Sequence, residues 1–265
     1  MRLRPCIDIH NGTVKQIIGS SLSDEGDTAE ENFKAVKGAL YYAELFKKNN
    51  LKGGHVIILN SKDSGFYQSS KNEALSALNT YPDGFAVGGG INSENAGEFI
   101  ENGASHVIVI SFLFENGIFS DYRLKEISET VGPKHLIIDV SCKKSSDGKY
   151  HVYIDRWQKE TSLVVSLSLF EGLFAYCDEF LIHGIGVEGK KQGFDEELVE
   201  MLGSAAPFTR PITYAGGIAS FDDVKKINEL GKGKVDVTIG SALSIYGGAM
   251  DFDETVKLFQ TLNED

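Results

Sequence analysis

Eight short apolar segments recur along the chain, separated by amphipathic stretches with a helical period. Each segment has the length of a strand, and most are rich in Val and Ile, as in strands buried on both faces. Eight strand–helix units in 265 residues predict a closed α/β (β/α)8 TIM barrel rather than an open doubly wound sheet. The predicted strands are Leu3–Ile9, His55–Leu59, Gly84–Val87, His106–Ile110, His135–Val140, Glu179–Ile182, Ile212–Tyr214 and Val235–Ile239. The predicted helices are Thr28–Lys48, Lys71–Leu78, Ser93–Asn102, Tyr122–Val131, Leu163–Ala175, Asp195–Leu202, Phe221–Leu230 and Phe252–Leu262.

The two halves of the chain resemble each other. The segment Val87-Gly88-Gly89-Gly90-Ile91-Asn92-Ser93 is similar to Tyr214-Ala215-Gly216-Gly217-Ile218-Ala219-Ser220, at an offset of 127 residues. Val109-Ile110-Ser111 is likewise similar to Ile239-Gly240-Ser241, at an offset of 130 residues. No linker rich in Pro, Ser or Gly divides the chain, so we expect one barrel domain over residues 1–265. The repeat predicts half-barrels of about residues 1–132 and 133–265.

Glycines and a serine stand at the end of a predicted strand in each half. Glycine lets backbone N–H groups approach a phosphate closely, and a following helix N-terminus adds partial positive charge. A strand–helix turn can need glycine for geometry alone, but two such turns at half-chain separation favour a ligand with a phosphate at each end. The predicted phosphate-binding residues are Gly89, Gly90 and Ser111 in the first half, and Gly216, Gly217, Gly240 and Ser241 in the second.

Two aspartates, Asp8 and Asp139, are predicted to end strands one and five. These strands lie opposite each other in an eight-stranded barrel, with their carboxyl ends at the same mouth. A carboxylate there is expected to be partly desolvated, which raises its pKa and suits acid–base catalysis. The alternative is that each aspartate caps its own loop. We predict a catalytic pair.

An indole and an imidazole are further candidates for ligand contacts. Trp157 lies in a polar loop with little apolar surface nearby, which favours stacking on a heteroaromatic ligand over burial in the core. His183 ends strand six and can hydrogen-bond Asp139, the substrate or a loop carbonyl. The other strand histidines, His55, His106 and His135, are expected at the closed end of the barrel. The histidine spacings fit no metal motif, so no metal or cofactor is predicted. We also predict a mobile lid over Gly19–Asp27.

Charge and cysteine usage limit the partners and the compartment. The chain has 26 Lys+Arg and 38 Asp+Glu, a net charge of −12, which disfavours nucleic acid and anionic membranes as partners. Asp8 interrupts any signal-peptide core, and no apolar run reaches the length of a membrane span. The three cysteines, Cys6, Cys142 and Cys177, are far apart. They favour reduced thiols and a cytoplasmic location.

The opening Pro5-Cys6-Ile7-Asp8-Ile9, with Gly12, Val14 and Lys15, resembles the phosphoribosylformimino-5-aminoimidazole carboxamide ribotide isomerases, sugar isomerases of histidine biosynthesis. Both glycine turns and their serines fall where that family holds two phosphates. Asp139 and Trp157 fall at the family's second aspartate and its stacking tryptophan. The resemblance covers nearly the whole chain. It departs from the bacterial pattern at Ile57-Ile58-Leu59-Asn60 and at His183-Gly184, and these segments are similar to the eukaryotic-type branch.

The resemblance implies an Amadori rearrangement of a small bisphosphorylated ribonucleotide, with Asp8 as base and Asp139 as acid. It implies neither a cofactor nor an obligate protein partner. Three alternatives stay open: the cyclase of imidazole glycerol phosphate synthase, phosphoribosylanthranilate isomerase activity, and a phosphate-binding barrel without catalysis. The Trp157 loop and the His183-Gly184 turn favour the isomerase over the cyclase, whereas the two isomerase chemistries are too alike for the sequence to separate.

Overall fold

The computed structural model of the chain describes residues 1–18, 21–23, 25–187, 193–206 and 210–262. Eight parallel strands in this part form a closed barrel, which confirms the predicted (β/α)8 architecture. The barrel strands are β1 (Cys6–His10), β2 (Gly54–Ile58), β3 (Phe85–Gly88), β4 (His106–Val109), β5 (Leu136–Asp139), β6 (Glu179–His183), β7 (Ile212–Ala215) and β8 (Val235–Thr238). They follow one another around the ring in chain order, so β1 lies opposite β5.

Pro5 divides the first strand of the barrel between two neighbours. Before it, Leu3–Arg4 pairs with β8, where Leu3 lies opposite Val237. After it, β1 pairs with β2, where Cys6 lies opposite His55. Proline has no N–H to donate to a ladder, which suits a residue at the point where the chain changes partner. These two pairings close the ring.

One helix follows each strand, and the helices surround the barrel. They are α1 (Ala39–Lys48), α2 (Tyr67–Thr80), α3 (Ala96–Glu101), α4 (Asp121–Val131), α5 (Leu167–Leu173), α6 (Glu196–Ala205), α7 (Phe221–Leu230) and α8 (Phe252–Thr261). Apolar residues on one side of each helix pack against the outer face of the barrel. Within the described ranges, no helix combines the length and the apolar character needed to cross a membrane.

The barrel strands alternate between an outward and an inward face, as the two-residue period of a strand requires. Outward residues such as Val56 and Ile58 pack into the main core beneath the helices. Inward residues form a separate small cluster that fills the barrel: Ala86, Ile108, Ile137, Leu181 and Ala215. This apolar layer closes the barrel in the middle, so polar inward residues are left to the two ends.

A buried ionic cluster lies near the amino-terminal ends of the strands. The Arg4 guanidinium is 3.0 Å from a carboxylate oxygen of Glu179 and 3.0 Å from one of Asp236. Thr213 donates a further hydrogen bond of 2.7 Å to Glu179. Because Arg4 lies on the segment that pairs with β8, the cluster ties the closing strand to β6 and β8.

Two predicted helices are shorter than the sequence pattern indicated. The range Thr28–Lys48 is wrong as a single helix, because Glu31–Lys34 is a strand that pairs antiparallel with Thr13–Ile17. Lys15 pairs with Glu31 across these strands at 2.6 Å. Val36, whose spacing from Phe33 and Leu40 would place it on the apolar face of such a helix, is 99% exposed. Helix α1 therefore starts only at Ala39.

The second difference lies between β5 and α5. Three antiparallel strands, Cys142–Lys144, Tyr150–Ile154 and Lys159–Val164, form a small sheet there. Residues 163 and 164, which were predicted to open a helix, end this sheet instead. Ser166 caps α5 by accepting a hydrogen bond from the Leu169 amide. This sheet carries the loop that contains Trp157.

Candidate active site

A cavity of about 250 Å³ opens at the carboxyl ends of the barrel strands. Every one of the eleven predicted site residues lines it: Asp8, Gly89, Gly90, Ser111, Asp139, Trp157, His183, Gly216, Gly217, Gly240 and Ser241. Residues from seven of the eight βα units thus meet at one place. The predicted lid over Gly19–Asp27 includes residues 19, 20 and 24, which lie outside the described part of the chain.

Asp8 lies within its strand rather than at its end, contrary to the prediction. It is the third of five residues of β1, in register with Ile57 of β2. The strand runs on to His10 and turns back as Thr13–Ile17, because backbone pairing continues past the barrel rim. Gln16 on the returning strand donates a hydrogen bond of 3.1 Å to Asp8 Oδ2. The hairpin therefore covers the carboxylate from above.

Asp139 is the last residue of β5, as predicted, and two side chains contact its Oδ1. The Ser141 hydroxyl donates to it at 2.9 Å, and Nδ1 of His183 lies 3.3 Å away. Both Asp139 and His183 have side chains that are only 13% exposed. The contact with Asp139 that the sequence allowed for His183 is therefore present, and it places an imidazole nitrogen beside a carboxylate oxygen at the cavity wall.

His55 corrects the sequence interpretation, which placed it at the closed end of the barrel. It lines the cavity, and its ring centroid is 6.2 Å from that of His183. Burial, and secondarily the charge of His183, lower the pKa of His55 to about 3. His106 and His135 do lie at the opposite end, where His106 Nε2 is 3.2 Å from Asp178. The alternation of outward Val56 with inward His55 was the signal that could have separated the two cases.

The Trp157 loop lies over the mouth of the barrel. Its residues Asp155, Arg156 and Trp157 have φ values of 53°, 55° and 68°, left-handed conformations that cost roughly 1–3 kcal/mol each. The indole Nε1 donates to the Ser141 hydroxyl at 3.0 Å, and the Asp155 amide donates to the Ser111 hydroxyl at 3.0 Å. Two hydrogen bonds thus hold a strained loop against the site.

The glycine turns bring bare backbone to the cavity wall. Gly89 has φ of 100°, and a Cβ there would overlap the carbonyl oxygen of Ile58. Gly217 has φ of 72°, and a Cβ there would overlap the carbonyl oxygen of Gly193. Both positions therefore require glycine on conformational and steric grounds, and both leave main chain in contact with the cavity.

The two turns differ in the helix that follows them. In the second turn Ser220 caps α7, and the Ala219 and Ser220 amides donate to the Asp223 carboxylate. The predicted helix start at Ser93 is wrong, because Asn92 Oδ1 accepts bonds from the next amides and delays α3 until Ala96. A helix directly after the turn therefore exists only in the second half.

Besides Cys6, five cavity residues with polar side chains were not singled out from the sequence as site residues. Gln16 comes from the hairpin, His55 from β2, Tyr153 and Arg156 from the small sheet and its Trp157 loop, and Thr238 from β8. Among the described residues that line the cavity, Arg156 is the only lysine or arginine. Burial lowers the pKa of its guanidinium. The remaining polar groups of the wall are hydroxyls, main-chain amides, the two carboxylates, the Cys6 thiol, the Trp157 indole and the His183 imidazole. A single arginine is what we expect of a local rather than a broad anion site.

A parallel barrel with two glycine turns and opposed carboxylates at its carboxyl-terminal mouth has the architecture of the phosphate-binding (β/α)8-barrel proteins. Within that class, the chain matches the family described as "Histidine biosynthesis protein" over residues 2–251. The chain belongs to this family, which confirms the resemblance drawn from its motifs.

Several curated relatives match nearly the full chain. A protein of Medicago truncatula is 48% identical over 260 residues, covering 97% of this chain and 81% of the relative. A protein of Candida albicans is 42% identical, covering 94% and 93%, and one of Saccharomyces cerevisiae is 41% identical, covering 92% of each. All three are named 1-(5-phosphoribosyl)-5-((5-phosphoribosylamino)methylideneamino)imidazole-4-carboxamide isomerase, and the Medicago protein is further named chloroplastic.

Proposed function

We propose that this chain is the aldose–ketose isomerase of histidine biosynthesis for which its relatives are named. The observation that carries the proposal is the placement of Asp8 and Asp139 on opposite strands, facing one cavity between two glycine turns. The name of the relatives specifies two phosphoribosyl groups, which matches two phosphate-binding sides. The substrate is accordingly a small bisphosphorylated ribonucleotide.

The reaction begins with opening of the furanose ring. We assign Asp139 as the acid that protonates the ring oxygen, with His183 able to share the proton across their 3.3 Å contact. Ring opening leaves a Schiff base at C1. The Ser141 hydroxyl fixes the orientation of the carboxylate, and such fixed geometry is required for proton transfer in the transition state.

The second step removes a proton from C2. We assign Asp8 as the base, held by Gln16 on the opposite side of the barrel from Asp139. The resulting enolamine takes up a proton at C1 and loses the hydroxyl proton at C2, which gives the aminoketose. One acid and one base supply every proton transfer. C1 is reduced as C2 is oxidised within the same molecule, so the rearrangement needs no external oxidant or reductant.

The phosphates position the reacting carbons between the carboxylates. We propose that the turn around Gly89 and Gly90 acts with Ser111 on one phosphate. The turn around Gly216 and Gly217 acts with Gly240 and Ser241 on the other. Binding energy from these remote groups orients C1 and C2 without contributing charge at the reacting atoms. Arg156 at the mouth adds a cation for a bound anion.

Paired isosteric variants test the catalytic assignment. Asp8→Asn and Asp139→Asn should each lower kcat by about 10²–10⁴-fold, the usual contribution of general acid or base catalysis. Calorimetry should still detect substrate binding, because the phosphate contacts remain. Asp178→Asn, at the opposite end of the barrel, is the matched control. Near-wild-type turnover in either cavity variant would refute that residue's assignment.

The alternatives predict different substrates. The relatives' names favour the isomerase over the cyclase, and a glutaminase-coupled ammonia assay separates the two directly. Growth of histidine and tryptophan auxotrophs carrying this chain separates the proposed activity from phosphoribosylanthranilate isomerisation. We further propose that the enzyme acts without an obligate protein partner in a reducing compartment such as the cytoplasm, where its three buried cysteine thiols would stay reduced.

A further inference from the structure

We propose that Cys6, Asp8 and His55 form a binding site for a soft divalent transition-metal ion such as Zn²⁺, and that the bound ion blocks the substrate cavity. The thiol sulfur, a carboxylate oxygen and an imidazole nitrogen of these residues all lie within 4.8 Å of one another. In the described part of the chain this is the only such group of three. All three residues line the cavity.

Strand register creates this group. Cys6 and Asp8 are two residues apart on β1, so their side chains leave the same face of the strand. His55 lies directly opposite Cys6 on β2, in the adjacent parallel pair. The backbone beneath the three ligands is therefore fixed by the barrel sheet, and only side-chain rotation is needed to bring the ligand atoms around an ion.

The donor set fits zinc. Zinc accepts thiolate, imidazole and carboxylate ligands in one tetrahedral site, at about 2.0–2.3 Å from each. Three protein ligands leave a fourth position, which here faces the cavity. The neutral imidazole of His55 offers a nitrogen lone pair to the ion. Magnesium requires oxygen ligands in octahedral geometry, and the group supplies only one oxygen donor residue.

Gln16 is the side chain that the ion would have to displace. Its Nε2 donates to Asp8 Oδ2 at 3.1 Å and lies 3.9 Å from Cys6 Sγ, so it bridges two of the three ligands. A bound metal ion would take the place of this amide hydrogen between the Asp8 carboxylate and the Cys6 sulfur. The Cys6 thiol loses its proton to solvent on binding, as thiolate ligands do.

Occupancy would remove the carboxylate that we assign as the base. Zinc should therefore inhibit competitively with the substrate. This consequence rests on the proposed function, whereas metal binding itself does not. The two parts separate experimentally, because binding has a spectroscopic signal of its own.

Cobalt(II) is the probe for binding. Added to the intact protein without substrate, it should give the near-ultraviolet thiolate charge-transfer band and intense visible bands of a tetrahedral site, and zinc should abolish both. Cys6→Ser should remove the thiolate band and weaken cobalt binding by more than the roughly 10–100-fold that loss of a partner behind a ligand costs. Cys177→Ser, which changes a buried cysteine outside the cavity, is the matched control. Circular dichroism should verify that each variant is folded.

Each experiment has a result that would overturn part of the proposal. A missing thiolate band in the wild-type protein, or one that survives Cys6→Ser, overturns the site. His55→Gln provides a second variant if Cys6→Ser does not fold, and unchanged cobalt affinity there also overturns the site. If zinc binds but does not raise the KM for the substrate, the proposed inhibition is refuted. Magnesium is the control ion, because this donor set should not bind it. A protein that binds cobalt but shows no turnover refutes the proposed function and leaves the metal site supported.

Discussion

The indole nitrogen of Trp157 lies 3.0 Å from the hydroxyl of Ser141, a side chain with no exposed surface. The same hydroxyl donates to Asp139 at 2.9 Å. One buried hydroxyl therefore connects a mouth loop to a carboxylate inside the barrel. Displacement of Trp157 would remove a donor from Ser141 and free that hydroxyl to rotate away from Asp139.

We expect Ser141→Ala to lower kcat up to about 10-fold with a smaller change in KM. A side-chain hydrogen bond contributes about 0.5–1.5 kcal/mol, and its loss here leaves Asp139 less well oriented. Steady-state kinetics measures the split between the two constants. Ser128→Ala is the matched control, since Ser128 is also buried and donates to a carbonyl away from the cavity. Equal effects of the two variants would refute a specific role for Ser141.

The two serines of the glycine turns should behave differently. Ser241→Ala should chiefly raise KM, because it removes one proposed phosphate donor. Ser111→Ala should raise KM and also lower kcat, because Ser111 accepts the Asp155 amide that holds the Trp157 loop. Kinetics of the two variants side by side tests this. An unchanged KM in Ser241→Ala would count against the second phosphate site.

Gly89→Ala should destabilise the protein by more than about 1 kcal/mol. The new methyl would overlap the Ile58 carbonyl, and the residue would keep a positive φ. Gly97→Ala is the control, because a Cβ at this helical position meets no atom within 4 Å. There we expect no loss and a gain of up to about 1 kcal/mol. Urea unfolding measures both, and similar stabilities would contradict the strained-turn interpretation.

Arg4→Met should destabilise the barrel by about 3–5 kcal/mol, because it leaves the buried Glu179 without its arginine. Asp236 keeps a second arginine, Arg2, at 2.8 Å. Burial already raises the pKa of Glu179, and Arg4 opposes that rise. Without Arg4 the pKa of Glu179 rises further, and a raised carboxyl pKa contributes stability only at low pH. The loss should therefore grow as pH rises above the usual carboxyl range near about 4.3.

Urea unfolding of Arg4→Met across this pH range measures the effect. Adding Glu179→Gln should recover part of the lost stability at neutral pH, since it removes one uncompensated charge. A loss that does not depend on pH would show that packing of the arginine, rather than its charge, stabilises the closing strand.

The sequence predicted the fold well where one physical pattern repeats. Strands buried on both faces are continuous apolar runs in the sequence. Their alternation with helices is compatible with only a few topologies. Because parallel strands end at a common mouth, the same pattern also predicted that Asp139, Ser111 and Ser241 lie close together. The roles of these residues and the division into two half-barrels stay predictions.

The errors arose where tertiary pairing overrides local pattern. The spacing from Phe33 to Phe46 fits a helix, yet Glu31–Lys34 gains a strand partner in Thr13–Ile17 that the local sequence does not display. The prediction for His55 was wrong because it rested only on the position of this residue at the start of a strand. The alternation of inward and outward side chains along β2 places it on the cavity side. The link through Ser141 depends on where the Trp157 loop folds back, which no sequence period encodes.

The divided first strand has a consequence for the nascent chain. Leu3 pairs with Val237, so its partner leaves the ribosome more than 200 residues later. At usual rates of synthesis of about 5–20 residues per second, the delay is roughly 10–50 s. Throughout that time the Leu3–Arg4 segment lacks its partner, and its edge is open to wrong pairing. Closure of the barrel around the cavity therefore waits until β8, the last barrel strand, has been translated.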